Sequence, residues 1–339
     1  MKFFRFTAKT VAKVCFAVIT FLCLHLFGGD NKYVVLSTVK ARAIAMGGAF
    51  VSIEDDLASL NFNPASFSAK TLEDKVRFSV YTNGFAPVIA YFNRNNSLTF
   101  SDALGLLVKG VTLSANKVQF GVVFGEQSFN PNFPVNTANI FNASDYRYNR
   151  STSFGVSVSF APEVQVGVAG EVFTRKVDNK VISKIGYKYG LRLKTHSNIT
   201  VGLCFVDFPN EFSDARMSLE RIVDETLNVG FSYNPVKRVT FSVDVRNVSE
   251  ETKDAVREPH LGFEVNVINH LTVRGGFFYQ KEEKIFNYSA GLGIFNWNSM
   301  FSENRIFTHP QFLLDAAVVI QRQGGVNSYW YVAKFILRL

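Results

Sequence analysis

Disulfides, long apolar runs and grouped histidines are missing from nearly all of this chain, and each absence removes a class of protein. There are three cysteines in 339 residues. Cys15 and Cys23 fall in the N-terminal stretch, so Cys204 stands alone in the rest and no internal disulfide can form there. A small secreted domain stapled by disulfides is thereby excluded. No apolar run beyond the N-terminal one approaches the roughly 20 residues that a membrane-spanning helix needs. With a mean hydropathy of only +0.09, a bundle of such helices is excluded too.

Chemistry-bearing patterns are equally scarce. His196, His260, His270 and His309 are widely separated, and no pair has a metal-ligand spacing. A nucleophile elbow, a phosphate-binding loop and a dinucleotide fingerprint are all lacking. The chain therefore reads as a non-enzyme with neither cofactor nor metal. Charged residues make up 19% and the formal net charge is +8. The basic residues are spread over alternating positions and loops rather than clustered with aromatics. Anionic lipid headgroups or a charged interior are the expected partners, and nucleic acid is not.

What the chain has in abundance is phenylalanine, 35 residues, within an aromatic content of 14%. From Lys75 onward apolar and polar residues alternate strictly between turn signals. Residues 238–248 place Val239, Phe241, Val243 and Val245 on one face and Thr240, Ser242, Asp244 and Arg246 on the other. Side chains of a strand point alternately to opposite sides, so each such segment is a strand between an apolar and a polar medium. A soluble sandwich and a membrane barrel both fit this pattern. In the barrel the apolar residues face lipid and the polar residues face a lumen. The phenylalanine content and the missing disulfides favour the barrel, whose closed sheet needs no staples.

The N-terminal apolar run, Val14 to Phe27, follows Lys2, Arg5, Lys9 and Lys13. A basic stretch before a short apolar one predicts a secretory signal peptide at 1–29, with Gly28-Gly29 as the nearest small-residue site. Strands are predicted at 75–83, 86–93, 117–127, 150–160, 164–176, 182–194, 199–208, 225–234, 238–248, 258–267, 270–280, 286–294, 311–322 and 328–339. Residues 97–113 read either as a further strand or as a short helix capped by Ser101. Fourteen strands are expected, an even number. Either one candidate is not in the wall, or another strand hides in 295–310. Short turns such as Ala161-Pro162-Glu163 alternate with long polar connections at 128–149, 209–224 and 249–257. That predicts tight turns on the periplasmic side and longer loops outside.

Between the signal segment and the first strand lies a stretch that does not alternate. Met46-Gly47-Gly48-Ala49-Phe50 is followed by Glu54-Asp55-Asp56 and then by Asn63-Pro64-Ala65. Gly47-Gly48 permits close backbone approach, and Pro64 holds Asn63 extended. This stretch resembles the N-terminal region of the long-chain fatty acid outer-membrane transporters (FadL), and more closely that of their PorV/PorQ-type relatives. The resemblance is sharp over residues 41–67 and generic elsewhere. It implies an all-β transmembrane antiparallel barrel of about 14 strands in the bacterial outer membrane. Its organisation would be a hatch at 30–74, folded into the lumen of a barrel formed by 75–339. The hatch residues it implies are Gly47, Gly48, Asp55, Asp56, Asn63, Pro64 and Ala65.

Strand phase adds lumen-facing candidates: Glu171, Lys188, Arg192, Lys194, Asp244, Arg246, Glu264, Arg274, Lys334 and Arg338. These form either an ion-pair network or a site for an anionic headgroup such as a fatty carboxylate. Phe173, Phe278 and Trp330 also face inward. Two functions follow from the resemblance. One is passive uptake of a fatty acid or other hydrophobic small molecule. The other is a non-transporting role, binding secreted proteins or secretion-machinery partners.

Overall fold

The computed structural model describes residues 31–68, 76–92, 99–127, 143–177, 180–208, 225–236, 238–249, 257–268, 271–281, 284–295 and 311–339. The expected signal segment lies outside these residues, as does 296–310, where a further strand is one of the alternatives.

The chain enters along a short strand, β1 (Asn31–Val35), and then fourteen antiparallel strands follow in sequence order. They are β2 (Arg77–Thr82), β3 (Val108–Ala115), β4 (Val118–Gln127), β5 (Asn149–Ala161), β6 (Val164–Val177), β7 (Lys180–His196) and β8 (Ile199–Asp207). The remainder are β9 (Thr226–Val236), β10 (Val239–Arg246), β11 (Glu258–Ile268), β12 (Leu271–Gln280), β13 (Ile285–Phe295), β14 (Gln311–Gln323) and β15 (Val326–Arg338). Each of the fourteen pairs with its neighbour in sequence, and β15 returns to β2, so the sheet is a closed barrel.

The closing ladder is short. Leu337 pairs with Thr82 and Arg338 with Tyr81, and reciprocal backbone bonds join Leu339 to Val80. Further along the same edge of β15, β1 lies parallel to it, from Asn31 opposite Ser328 to Val35 opposite Val332.

Burial settles which medium faces which side. On β10, Phe241, Val243 and Val245 are exposed, while Ser242, Asp244 and Arg246 are buried. The same inversion recurs at exposed Phe120, Phe154, Val168, Tyr189, Phe231, Leu261 and Tyr288 around the wall. A soluble sandwich buries its apolar faces. This molecule encloses its polar ones behind an apolar belt, the pattern of a sheet closed in lipid.

Fourteen wall strands agree with the expected count, but one candidate segment is not a strand. Of the expected strand 86–93, residues 86–92 fall in helix α3 (Phe85–Phe92), which follows two short helices of the N-terminal segment, α1 (Ala41–Ala45) and α2 (Ser59–Phe62). The Ala86 amide donates to Asn83 Oδ1 at 3.1 Å, which caps the helix, and Pro87 sits in the first turn, where its missing N–H costs nothing. Residues 97–113 supply both alternatives at once, helix α4 (Phe100–Leu107) running directly into β3. Its cap is Thr99, in a capping box with Asp102, rather than Ser101. A further helix, α5 (Ala143–Tyr148), precedes β5. Because neighbouring strands are antiparallel, the two-residue connections after β3, β5, β7, β9 and β11 leave from one end of the barrel, the tight-turn end. The connections of 11 or more residues after β2, β4, β8 and β10 leave from the other, the long-loop end. The 15-residue connection after β13 and the short ones after β6, β12 and β14, the last of them the two-residue turn at Gly324-Gly325, depart from this division.

Candidate functional site

Residues 36–67 run through the interior of the barrel, and the wall is built to receive them. Glycines on the inner face pair across the ladders: Gly121 with Gly155, Gly167 with Gly190, Gly202 with Gly230, and Gly262 with Gly276. A Cβ at Gly276 would lie 2.1 Å from the Gly47 nitrogen, one at Gly190 2.0 Å from Asn63 Oδ1, and one at Gly167 2.3 Å from the Pro64 carbonyl carbon. This girdle brings the backbones of wall and segment into contact. Gly47 itself has φ +63°, a conformation that L side chains rarely adopt.

Wall side chains then satisfy the segment's backbone, which has no sheet of its own. Asp244 Oδ2 accepts from the amides of Phe50, at 2.6 Å, and Val51, at 2.9 Å. Lys188 Nζ donates to the Asn61 carbonyl at 2.6 Å, and the Arg246 guanidinium donates to the Gly48 carbonyl. His260 Nδ1 lies 2.6 Å from the Gly47 carbonyl, its ring stacked on Phe278. Asn63 closes the last corner: Oδ1 accepts from the Ala65 amide at 3.0 Å, and Nδ2 donates to the Val51 carbonyl at 2.8 Å. Pro64 and Ala65 form a 3-10 turn ending at Ser66. A buried backbone group without such partners would cost about 1–3 kcal/mol.

Two electrostatic regions flank the segment. Towards the tight-turn end, Arg42 donates twice to Glu264, at 2.8 Å each, and lies 3.3 Å from Asp55. Arg274 bridges Glu264 and Asp315 at 2.6 Å each, with Lys334 3.7 Å from Asp315. Arg192 reaches Glu54 at 3.0 Å and Gln165 at 2.8 Å. Burial pushes the Asp55 carboxyl above the ordinary carboxylate range, and Arg42 offsets only part of that. Asp56 makes its hydrogen bond through the backbone, its carbonyl accepting from the Ser59 amide.

Towards the long-loop end the arrangement opens into a cavity of about 70 Å³ between segment and wall. Part of its lining is apolar: Val51, Phe62, Phe173, Val206 and Phe208. The rest includes Lys40, Lys188 and Arg246 with one carboxylate, Glu171, which accepts from Lys188 at 2.6 Å. Both wall cations also lie over rings, Lys188 5.1 Å from Phe208 and Arg246 5.2 Å from Phe62. Three buried polar atoms lining this cavity have no hydrogen-bond partner among the described residues: Asn61 Nδ2, Asn247 Nδ2 and Thr226 Oγ1. All three can donate. A smaller cavity of about 10 Å³, bounded by Ile44, Phe278 and Val319, adjoins it and shares Phe62 and Arg246.

No protein-family model and no curated protein sequence matches this chain. Among solved structures it is similar to the toluene transporter TbuX of Ralstonia pickettii, at 11% identity and a TM-score of 0.46, over 87% of this chain and 96% of that one. It is likewise similar to a FadL homologue from Pseudomonas aeruginosa, at 11% identity and a TM-score of 0.45, over 90% of this chain and 97% of that one. A mutant of the Rh. blastica porin matches at 13% identity and a TM-score of 0.35, over 68% of this chain and 77% of that one.

Glu171, Lys188, Arg192, Asp244, Arg246, Glu264, Arg274 and Lys334 all lie buried on the inner face. They do not form one site: Lys188, Arg246 and Glu171 meet at the cavity, while Arg192, Glu264, Arg274 and Lys334 belong to the tight-turn network. Arg338 is also inside, its guanidinium donating to Ser79. Lys194 is exposed at the tight-turn end, inside the register shift of the β7–β8 ladder between Leu193 and His196, where phase no longer implies enclosure. Two inner residues, Glu126 and Lys109, escape the alternation. Glu126 accepts from the Val39 amide at 3.0 Å and from Thr38 at 2.8 Å, with Lys109 3.4 Å away. By strict phase Glu126 shares the lipid face of Phe120, Val122 and Phe124. A register shift next to Gly125, φ +54°, turns it inward. A carboxylate at a lipid-facing position beside a glycine was the available signal.

Proposed function

We propose that the protein is an outer-membrane channel that takes up hydrophobic small molecules bearing an anionic head, with residues 36–67 acting as its hatch. The cavity at the long-loop end carries this reading. Its cations exceed its carboxylate, its unpartnered polar atoms are donors, and its remaining wall is aromatic and aliphatic. Buried donors without acceptors are costly, and an oxyanion satisfies several of them together. A fatty acid has this chemistry: a carboxylate for Lys188, Arg246 and the Asn61 and Asn247 amides, and a tail for Phe173 and Phe208. The apolar belt implies that the barrel itself sits in membrane lipid.

The hatch follows from the same contacts. Lys188 and Arg246 hold the segment by the carbonyls of Asn61 and Gly48. A bound carboxylate competes for those cations, and binding thus weakens the hold on the segment at that end.

Binding of a fluorescent fatty acid to the barrel in detergent or nanodiscs tests this reading. Lys188→Gln and Arg246→Gln should each weaken binding roughly 10-fold or more, the equivalent of about 1.5–3 kcal/mol for a charge-assisted hydrogen bond. A neutral alcohol of the same chain length should bind weakly to both forms. Equal binding of acid and alcohol, unchanged by either substitution, would overturn it.

A second reading has its own support. The glycine girdle seats the segment backbone to backbone, which suits a lumen that stays closed. On this reading the protein is a non-transporting outer-membrane component that binds secreted proteins or secretion-machinery partners. Vesicles containing the pure barrel would then take up no fatty acid even though the cavity binds it.

A further inference from the structure

Three of the wall strands, β2, β3 and β10, are shorter than a membrane crossing needs, and only β2 and β3 are neighbours. A tilted strand needs about 9–11 residues to span the hydrocarbon layer. β2 has 6 residues and β3 has 8, while their neighbours β15 and β4 have 13 and 10. β15 runs on from its pairing with Thr82 back to Val326, and β4 runs past its last pairing with β3, at Val123, to Gln127. On this sector the half of the wall nearer the long loops is not made by β2 and β3. Helix α3 begins three residues after β2, and α4 runs straight into β3.

The helices are apolar on the side turned away from the protein. Val88 and Tyr91 of α3 and Phe100, Leu104 and Leu107 of α4 are exposed, Phe100 by 84%. The opposite sides carry two alanines, one leucine and a carboxylate. Ala86 and Ala90 pack with Leu106, Tyr146 and Leu36, and Asp102 on α4 receives Arg147 at 2.6 Å. Leu104 and Leu107 share a face at helical spacing, and Asp102 lies away from it. The outward faces are thus largely apolar, as the outward face of the barrel wall is. The patch is also continuous with the wall: a Cβ built on Gly84, just before α3, would lie 3.8 Å from the outward ring of Phe335 on β15. A helix satisfies its own backbone and is, besides a closed sheet, the structure that hydrocarbon tolerates.

We propose that α3 and α4 form a lipid-embedded helical stave, with Val88, Tyr91, Leu104 and Leu107 against acyl chains of the leaflet at the long-loop end. The stave covers the sector where β1, rather than β2, lines the edge of β15. This inference rests on the membrane-barrel reading, and its test separates the two.

Single cysteines at Val88, Leu104 and Phe154 carry a nitroxide label in the full barrel reconstituted in lipid vesicles, with Cys204, which is buried, replaced by serine. Phe154 on β5 reports on the barrel wall alone. The expected result is that labels at all three sites collide severalfold more often with dissolved oxygen than with a water-soluble nickel chelate. A lipid-type signal at Phe154 with a nickel-accessible one at Val88 and Leu104 overturns the stave and leaves the barrel standing. Labels at Val88 and Leu104 shielded from both reagents also overturn it, since protein rather than lipid would then cover the patch. Nickel access at Phe154 overturns the membrane reading itself.

Discussion

Gly276 on β12 and Gly47 in the lumenal segment are so close that a methyl group on Gly276 would sit 2.1 Å from the Gly47 nitrogen. The neighbour is backbone, so no rotamer change relieves the clash. Overpacking of this kind costs roughly 1–3 kcal/mol. The cheapest response is to unseat the segment, because the wall is held by ladders that do not depend on it. Gly276→Ala should therefore leave a folded barrel while raising protease cleavage within 41–67 and single-channel conductance. Gly84→Ala is the control, since the nearest atom to its Cβ is a ring carbon at 3.8 Å. Equal effects from both would mean that the girdle does not hold the segment.

The tight-turn network makes a different prediction, about stability. Arg274 is buried between Glu264 and Asp315. Removing one partner from a buried ion pair costs about 3–5 kcal/mol, because the survivor keeps its desolvation penalty. Arg274→Met should markedly lower the temperature at which the barrel unfolds on heating in detergent gels. Arg274→Met combined with Asp315→Leu should restore part of the loss, since the two sites share one interaction.

Asp55 should behave in the opposite way. Its carboxyl titrates above the ordinary carboxylate value, burial being the main cause. A carboxyl raised on folding binds a proton more readily in the folded state. Its charged form is therefore a constant cost above the raised value, and that cost is relieved as pH falls through the raised value towards the ordinary carboxylate one. Asp55→Asn should then be mild at neutral pH and should abolish this part of the acid-side gain in melting temperature. If Asp55→Asn destabilised as strongly as Arg274→Met, the Arg42 pairing would outweigh burial.

What could be read from the sequence follows physical range. Strand phase is local, so the inward residues of β10 and β12 and the outward phenylalanines were legible from alternation alone. Inner-face glycines such as Gly121 and Gly262 are where the wall makes room for the lumenal segment, against Leu60 and Phe67 in one case and Met46 in the other. Which charges meet was not legible, because Arg274 finds Asp315 only through the registers of two ladders. The helix at 85–92 was missed because its apolar residues were read as a strand face, although Asn83 and Pro87 carried the helix-start signal. β1 is short and its partner lies at the far end of the chain. Glu126 was hidden by the register shift beside Gly125, since alternation assumes that no bulge intervenes.

The closing strand offers a test of phase in two adjacent residues. Tyr331, Ala333, Phe335 and Leu337 are partly exposed on the outer face, while Val332, Lys334, Ile336 and Arg338 are buried. A lysine at the midplane of a lipid face costs roughly 2–4 kcal/mol. Phe335→Lys adds the loss of a ring that lies against Gly84 at the short β15–β2 ladder, where little else holds the seam. It should sharply reduce the fraction of protein that assembles into a heat-modifiable, membrane-inserted form. Lys334→Gln removes a lumenal charge 3.7 Å from Asp315, but Arg274 still neutralises that carboxylate at 2.6 Å. Assembly should therefore be near normal, with at most a modest fall in melting temperature. The decisive quantity is the ratio of the two yields. If both variants assemble equally poorly, β15 does not separate lipid from lumen in the way that its alternation requires.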